Sequence, residues 1–355
     1  DPEGEDHLAG EVFPGCKTRF GRAVAPRVLR SYTADAAFLK DMQKLSRHEK
    51  SQKDVDAAAC DAMCDAWEGV TSETSFLVAH HYPDWEFMQP LNRSAGFLQV
   101  LAVLDMSSPV LALLLPVFIA VIPFLIIRLR GHPCTVSQYV AVLKTVMERH
   151  NMGSLLQLRT SSLKECASVV GTLAFYVAQI YQNVTACRSF WSSMKKSHEV
   201  LCKVRAYLAI VVPRMNATAK FASGTKTLGG YGNAVRVKAE TLQTFLDDLS
   251  HVEPWRANVQ CFGCVGRTRK AWFILHQCKV VRESLDYSFG FMGLCDCLQA
   301  VERAVKAGDM GRCKFVKSRP KLRGAYFPQS CAGKPVRNDL EGDTVVVHSL
   351  DRLGR

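Results

Sequence analysis

Residues Pro109–Ile127 read PVLALLLPVFIAVIPFLII, nineteen positions without a polar or charged side chain. Asp105 lies upstream, and Arg128 and Arg130 close the run. A helix of that length reaches the threshold for a bilayer core about 30 Å thick. Pro109, Pro116 and Pro123 recur every seven residues. An interior proline costs about 3 kcal/mol in a soluble helix, and membrane helices tolerate it better. A second apolar stretch, ASVVGTLAFYVAQIYQNV at 167–184, is weakened by Gln179, Gln182 and Asn183. Between the two, Tyr139, Val142, Leu143, Val146 and Met147 fall on one side of a helix and Lys144, Glu148 and Arg149 on the other. The pattern has two readings: a helical hairpin in a membrane, or a pair of helices forming the central buried layer of a helical domain. Basic residues lie both between the stretches and after the second, so charge does not orient such a hairpin.

Working outward, residues 1–33 carry Gly, Pro and mixed charges and read as a flexible tail. The segment 34–104 turns helical: Phe38, Met42, Leu45, then Val55, Ala59, Met63 and Trp67 recur at helical spacing. RHEKSQKDVD between these groups reads as a solvated face, and GFLQVLAVL as a short apolar helix. The hairpin occupies 105–186. A helical core and lever region follows at 187–312, with one helix from Cys187 to Pro213, a Gly-rich loop ASGTKTLGGYGN at 222–233, a helix from Ala239, and two helices between Lys270 and Val305 interrupted by SFGFMG. Residues 313–355 read as short strands and turns (CKFVK, GAYFPQ, DTVVVHSL). The expected fold is mostly α: a helical core and lever domain, an apolar hairpin and a short β-containing C-terminal tail.

With 355 residues the chain is long enough for two or three modules, and a hydrophobic fraction of 48% argues against disorder throughout. A formal net charge of +12 favours phosphate backbones or anionic membrane surfaces. Fourteen cysteines at irregular spacing, behind an acidic N-terminus DPEGEDHLAG with no apolar h-region, predict reduced thiols rather than a secreted disulfide framework. The start at Asp1 and the abrupt end at DRLGR lead us to expect a fragment.

Catalytic motifs are scarce. LGGYGN at 228–233 is followed by no GK[ST], and no GxxxxGK[ST] occurs anywhere, so a surface turn is expected there and no nucleotide hydrolysis from this chain alone. Cys261 and Cys264 (CFGC) precede Cys295 and Cys297 by some thirty residues, but the second pair is too close for a zinc knuckle and sits in an apolar helix. Small buried thiols are expected, and no metal site. Cys60 and Cys64 lie one helical turn apart without a neighbouring His, and His80 and His81 read as loop caps. No GxSxG and no carboxylate pair stands out, so no catalytic residue is assigned.

Three stretches taken together resemble one family. They are LNRSAGFLQVLAVLDMSSPVLALLLPVFIAVIPFLIIRLRGHP at 91–133, AFYVAQIYQNVTACRSFWSSMKKSHEVL at 174–201, and SLDYSFGFMGLCDCLQAVERAV at 284–305 followed by AYFPQSCAGKPVRNDL at 325–340. In that order they resemble the helical region ahead of the ATPase in MutS-like DNA mismatch-repair proteins, especially the divergent ones of large DNA viruses and algae, over roughly 35–340. The resemblance implies that Pro335, Val336, Asn338 and Asp339 lead toward an ATPase strand. The phosphate loop that would follow is absent, and so is the family's mismatch-reading Phe-x-Glu wedge. ATP and magnesium are therefore implied for a longer parent, a DNA-dependent ATPase, and not for this chain. The resemblance also implies double-stranded DNA as partner, a homodimer or hetero-oligomer through the ATPase, and an intracellular place (nucleus, cytoplasm or virus factory) with membrane association open. Local basic clusters nominate Lys195, Lys196, Arg267, Arg269 and Lys270 for DNA phosphates. Finally, EGDTVVVHSLDRLGR resembles a segment of serine recombinases of the resolvase type, with Asp351, Arg352 and Arg355 at that family's active-site positions. No YxRVST-like nucleophile strand accompanies it.

Overall fold

The computed structural model describes residues 13, 15–31, 33–72, 80, 82, 83, 85, 88–131, 135–149, 163–252, 259–315, 321–325 and 338–341. For 112, 113, 115–117, 119, 120, 123, 143–149, 163–169, 172, 259–262 and the two strands, the backbone alone is described. The chain is mostly helical. In order come α1 (Arg19–Arg30), α2 (Ala36–Ser51), α3 (Ala57–Ser72), a 3-10 turn (Gln89–Arg93), α4 (Ala95–Leu129), α5 (Val136–Arg149), α6 (Leu163–Ser223), α7 (Gly229–Asp248), α8 (Val259–Gln277) and α9 (Lys279–Ala307). Two short strands, β1 (Lys321–Ala325) and β2 (Asn338–Glu341), pair antiparallel with Leu322 opposite Leu340.

These elements form two compact units. One comprises Asp1–Glu73, Val200–Val252 and Ile274–Arg355, the other Thr74–Glu199 and Glu253–Phe273.

In the first unit α9 is the spine, with α1, α2 and α7 packed on it. Its buried positions Val281, Leu285, Ser288, Met292, Cys295 and Gln299 recur three or four apart, the spacing of one helical face. The later part of α6 presents Leu201, Val204, Leu208, Val211 and Met215 at the same spacing, and all are fully buried. Gly308, at φ +86°, ends α9 in the left-handed conformation that glycine adopts without steric cost.

The structure departs from the sequence reading at four places. Part of the expected N-terminal tail is helix α1: the Thr18 hydroxyl caps it by accepting from the Gly21 N–H, Arg27 and Arg30 occupy its last turn, and Gly21 and Ala25 are buried. The expected Gly-rich loop is shorter, because α6 runs to Ser223 and α7 begins at Gly229. A Cβ on Gly232 would stand 2.9 Å from the Ala222 Cβ and 3.0 Å from the Ala219 carbonyl oxygen, so that glycine permits close helix approach rather than a turn. SFGFMG does not interrupt a helix either. The break falls at Cys278, and Gly293 sits mid-helix where a Cβ would lie 2.5 Å from the Phe20 carbonyl oxygen of α1. The helix expected over Cys187–Pro213 is one part of the 61-residue α6, which continues through Pro213.

In the second unit, Ala102, Phe190, Met194 and Val265 form a small core with Met106 packed against it. Gly266 of α8 lies so close to α4 that a Cβ would collide with the Ala95 carbonyl oxygen, and its N–H donates to Gln99 Oε1 at 2.7 Å. Beyond this core α4 continues through all three prolines to Leu129. From Val103 to Gly131 no described residue is buried, so these described residues do not form the expected central buried layer. Among the described residues, no helix is long and apolar enough to cross a membrane. Eight of the nineteen side chains of 109–127 lie outside that description.

Candidate functional site

Among the described residues of the first unit, buried charge at three places links α9 or α6 to segments far away in sequence. Glu49, at the end of α2, is fully buried and accepts from Arg214 Nε (3.0 Å) and Nη2 (2.8 Å) of α6. The Thr218 hydroxyl donates to its other oxygen at 2.7 Å, and Arg214 Nη1 donates to the Lys53 carbonyl at 3.1 Å. Gln299 of α9 completes the brace: its Nε2 donates to the Glu49 carbonyl at 3.0 Å and its Oε1 accepts from the Val55 N–H at 3.1 Å. A buried charge is tolerated only when paired and fully hydrogen-bonded, and this arrangement supplies both. It fixes α2, α6 and α9 in one register.

The second place is Asp296, which is fully buried. One oxygen accepts from the Thr18 N–H and hydroxyl, both at 2.9 Å, while Arg303 stands 3.5 Å from the other. The residue that caps α1 is thus itself held by α9. The third is Glu302, which accepts from Ser46 at 2.9 Å and from Arg312. Asp41 of α2, also buried, makes a related tie to the turn after α6: Lys44 donates to it at 2.8 Å and the Thr227 hydroxyl at 2.9 Å, and these hydrogen bonds hold its carboxyl down at about 2.

Beside Glu302 lies an open, mostly apolar groove of about 400 Å³ lined by Leu39, Met42, Leu298, Val301 and Arg312 among others. Its two charged groups are paired with each other.

Of the thiols expected to be buried, the Cys261 side chain lies outside the described residues. Cys60, Cys295 and Cys297 are buried and Cys264 half-buried. Burial pushes the Cys60 thiol up to about 12 and raises Cys295 as well. Cys16 Sγ lies 3.9 Å from Cys297 Sγ, well beyond the bonded distance of about 2.05 Å, and the pair is free. The hydrogen bond to Cys297 lowers the Cys16 thiol, and the same contact raises Cys297. Among the described residues no group of three or more His, Cys, Asp and Glu gathers to hold a metal ion.

The nominated phosphate contacts all belong to the second unit. Lys195 and Lys196 are exposed on α6, Lys195 within 3.9 Å of Glu199. Arg267 is exposed and Lys270 half-exposed on α8. Arg269 is different and corrects the expectation, because it is 1% exposed. Its Nη2 donates to the His80 carbonyl at 3.0 Å, and its guanidinium lies 5.1 Å from the Tyr82 ring and 5.3 Å from the Phe190 ring, with Asp105 at 3.8 Å. Burial lowers its pKa below the ordinary arginine value. In sequence Arg269 is one of a basic run, RTRK; in space its phase on α8 turns it inward. His80, expected as a loop cap, packs its ring 5.4 Å from Trp272 and lies 3.3 Å from the Ser197 hydroxyl.

Of the residues implied by resemblance, Asn338 and Asp339 fall in β2, where the backbone alone is described. Pro335, Val336, Asp351, Arg352 and Arg355 lie outside the described residues. The sequence reading put Glu49 on the solvated face of RHEKSQKDVD, which its burial corrects, and missed Arg214, Asp296 and Gln299. Their signal was a charged or amide residue at a core phase of an otherwise apolar helix face: Asp296 stands between Cys295 and Cys297, and Arg214 between Val211 and Met215. No protein-family model, no curated protein and no solved structure matches the chain.

Proposed function

We propose that the chain is a helical scaffold that transmits position rather than chemistry, as the region ahead of the ATPase does in MutS-like DNA-repair proteins. The observation that supports this is the Glu49–Arg214–Thr218 brace with Gln299, which holds three helices in one register by buried hydrogen bonds. A coupling element needs such stiffness: a helix that slid or melted would absorb a displacement instead of passing it on. In this reading ATP, magnesium and self- or hetero-association belong to the ATPase of a longer protein. This chain contributes the sequence-independent grip on duplex DNA through Lys195, Lys196, Arg267 and Lys270. The surface pair of Lys195 with Glu199 is worth little in water and leaves the cation available to phosphate.

The test is retention of duplex DNA by the full chain across a salt series. Four phosphate contacts predict a slope of log K against log salt of about −3.6. Lys196→Ala should reduce its magnitude by about 0.9, one contact, and Arg269→Lys should leave the slope unchanged because that side chain faces inward. Retention that is absent, or indifferent to salt, removes the DNA reading.

A further inference from the structure

Helix α4 changes character along its length. Leu98 and Ala102 are buried in the second unit and Met106 packs against its core, but beyond Met106 none of the described side chains of α4 is buried. Leu111, Leu114, Phe118, Ile122, Leu125 and Ile126 are all at least 40% exposed. Together with Val100, Val103 and Leu104 they cover an arc of roughly 140° of the helix circumference. The early part of α6 behaves alike: Phe175 is 73% exposed and Tyr181 71%, with Val170, Leu173 and Val177 also exposed. A soluble surface seldom shows contiguous apolar area on this scale without a partner for it.

Three observations say what covers it. No Asp, Glu, Lys or Arg occurs between Asp105 and Arg128 on α4, nor between Glu165 and Arg188 on α6. Each interval rises about 33 Å as helix, close to the roughly 30 Å of bilayer hydrocarbon. The two intervals are also level with each other, because Cys187 Sγ of α6 lies 3.9 Å from the Met106 carbonyl of α4, at the charged end of both. The far end carries exposed Arg128 and Arg130, suited to anionic headgroups. A packed helix face is a stripe of about 100°, narrower than the arc exposed here, and a bilayer covers such an arc on two helices over the same height.

We infer that the exposed flanks of α4 and the early part of α6 are seated in the hydrocarbon of a lipid bilayer, with Asp105 and Arg188 at one interface and Arg128 and Arg130 at the other. This attachment stands independently of DNA binding, and its test contains no nucleic acid. The full chain is mixed with vesicles of phosphatidylcholine, with and without phosphatidylglycerol, and floated on a density gradient. It should float with both, and remain bound in 1 M salt and at alkaline pH. Phe118→Trp should be quenched by lipids brominated along the acyl chain and shielded from acrylamide. Leu114→Lys with Ile122→Lys should reduce the floating fraction at least tenfold, while circular dichroism shows the helices intact. Release by salt alone, quenching by acrylamide but not bromolipid, or a stable dimer that ignores vesicles would each overturn the assignment, the last in favour of a second copy of the chain.

Discussion

Arg214→Met removes the cationic half of the brace in the first unit and leaves Glu49 buried beside Thr218 alone. The native arginine makes two hydrogen bonds to Glu49 and one to the Lys53 carbonyl. The methionine fills much of the volume, so the loss is mainly electrostatic: a carboxylate with 1% of its side chain exposed must stay charged without a partner or take up a proton. Breaking one side of a buried pair costs about 3–5 kcal/mol, whereas replacing both sides by apolar groups of similar volume is often neutral. Two compact units make a single global unfolding free energy ill-defined. The assay is therefore native-state hydrogen exchange followed by mass spectrometry on peptides from α2 and the later part of α6. Protection of those peptides should fall by roughly two to four orders of magnitude, since each 1.4 kcal/mol is tenfold in the opening equilibrium. Glu49→Leu combined with Arg214→Met should restore most of it. A single substitution costing under about 1 kcal/mol, or a double variant no better than the single one, would show that the pair is not what holds α2 to α6.

Other outcomes follow from the same physical description. Gly293→Ala places a methyl group 2.5 Å from the Phe20 carbonyl oxygen and should cost about 1–3 kcal/mol of α1 docking, read as faster tryptic cleavage at Arg19 and Arg22. Asp41 is held at about 2 against an ordinary 3.8, so its contribution is complete above the unfolded value and is lost as pH falls from about 4 through 2. Asp41→Asn should flatten the acid limb of a stability profile in that window, and an unchanged limb would refute the assignment. Iodoacetamide at neutral pH should label Cys16 at least tenfold faster than Cys60, whose thiol is buried and pushed up to about 12; equal rates by peptide mass spectrometry would contradict the described pairing with Cys297.

The helices were legible where apolar residues recur on one face, as at Phe38, Met42 and Leu45 of α2 or Leu242 and Phe245 of α7. Glycine misled in three segments, because a glycine that admits a neighbouring backbone looks in sequence like one that makes a turn. Gly232 against Ala219, and Gly293 against Phe20, are contacts between segments whose proximity no local pattern announces. Helix α1 was hidden for the same reason: its small residues Gly21 and Ala25 mark a packing face only once α9 is known to lie against them. The basic run at 267–270 gave the right residue types, yet helical phase decided that Arg267 faces water and Arg269 does not. The buried braces depend on pairings across some 160 to 280 positions, beyond any window of periodicity.

The tie between Thr18 and Asp296 spans 278 positions, which has a consequence for biosynthesis. At a translation rate of about 5–20 residues per second, the helix that anchors α1 is made roughly 15–55 s after the residue it anchors. During that interval the whole of the second unit's first segment is synthesised, including the apolar run at 109–127, while the first unit still lacks its spine. The nascent chain therefore exposes an unfinished bundle and a greasy helix at once. Its survival depends on what meets that helix at the ribosome exit before α9 arrives.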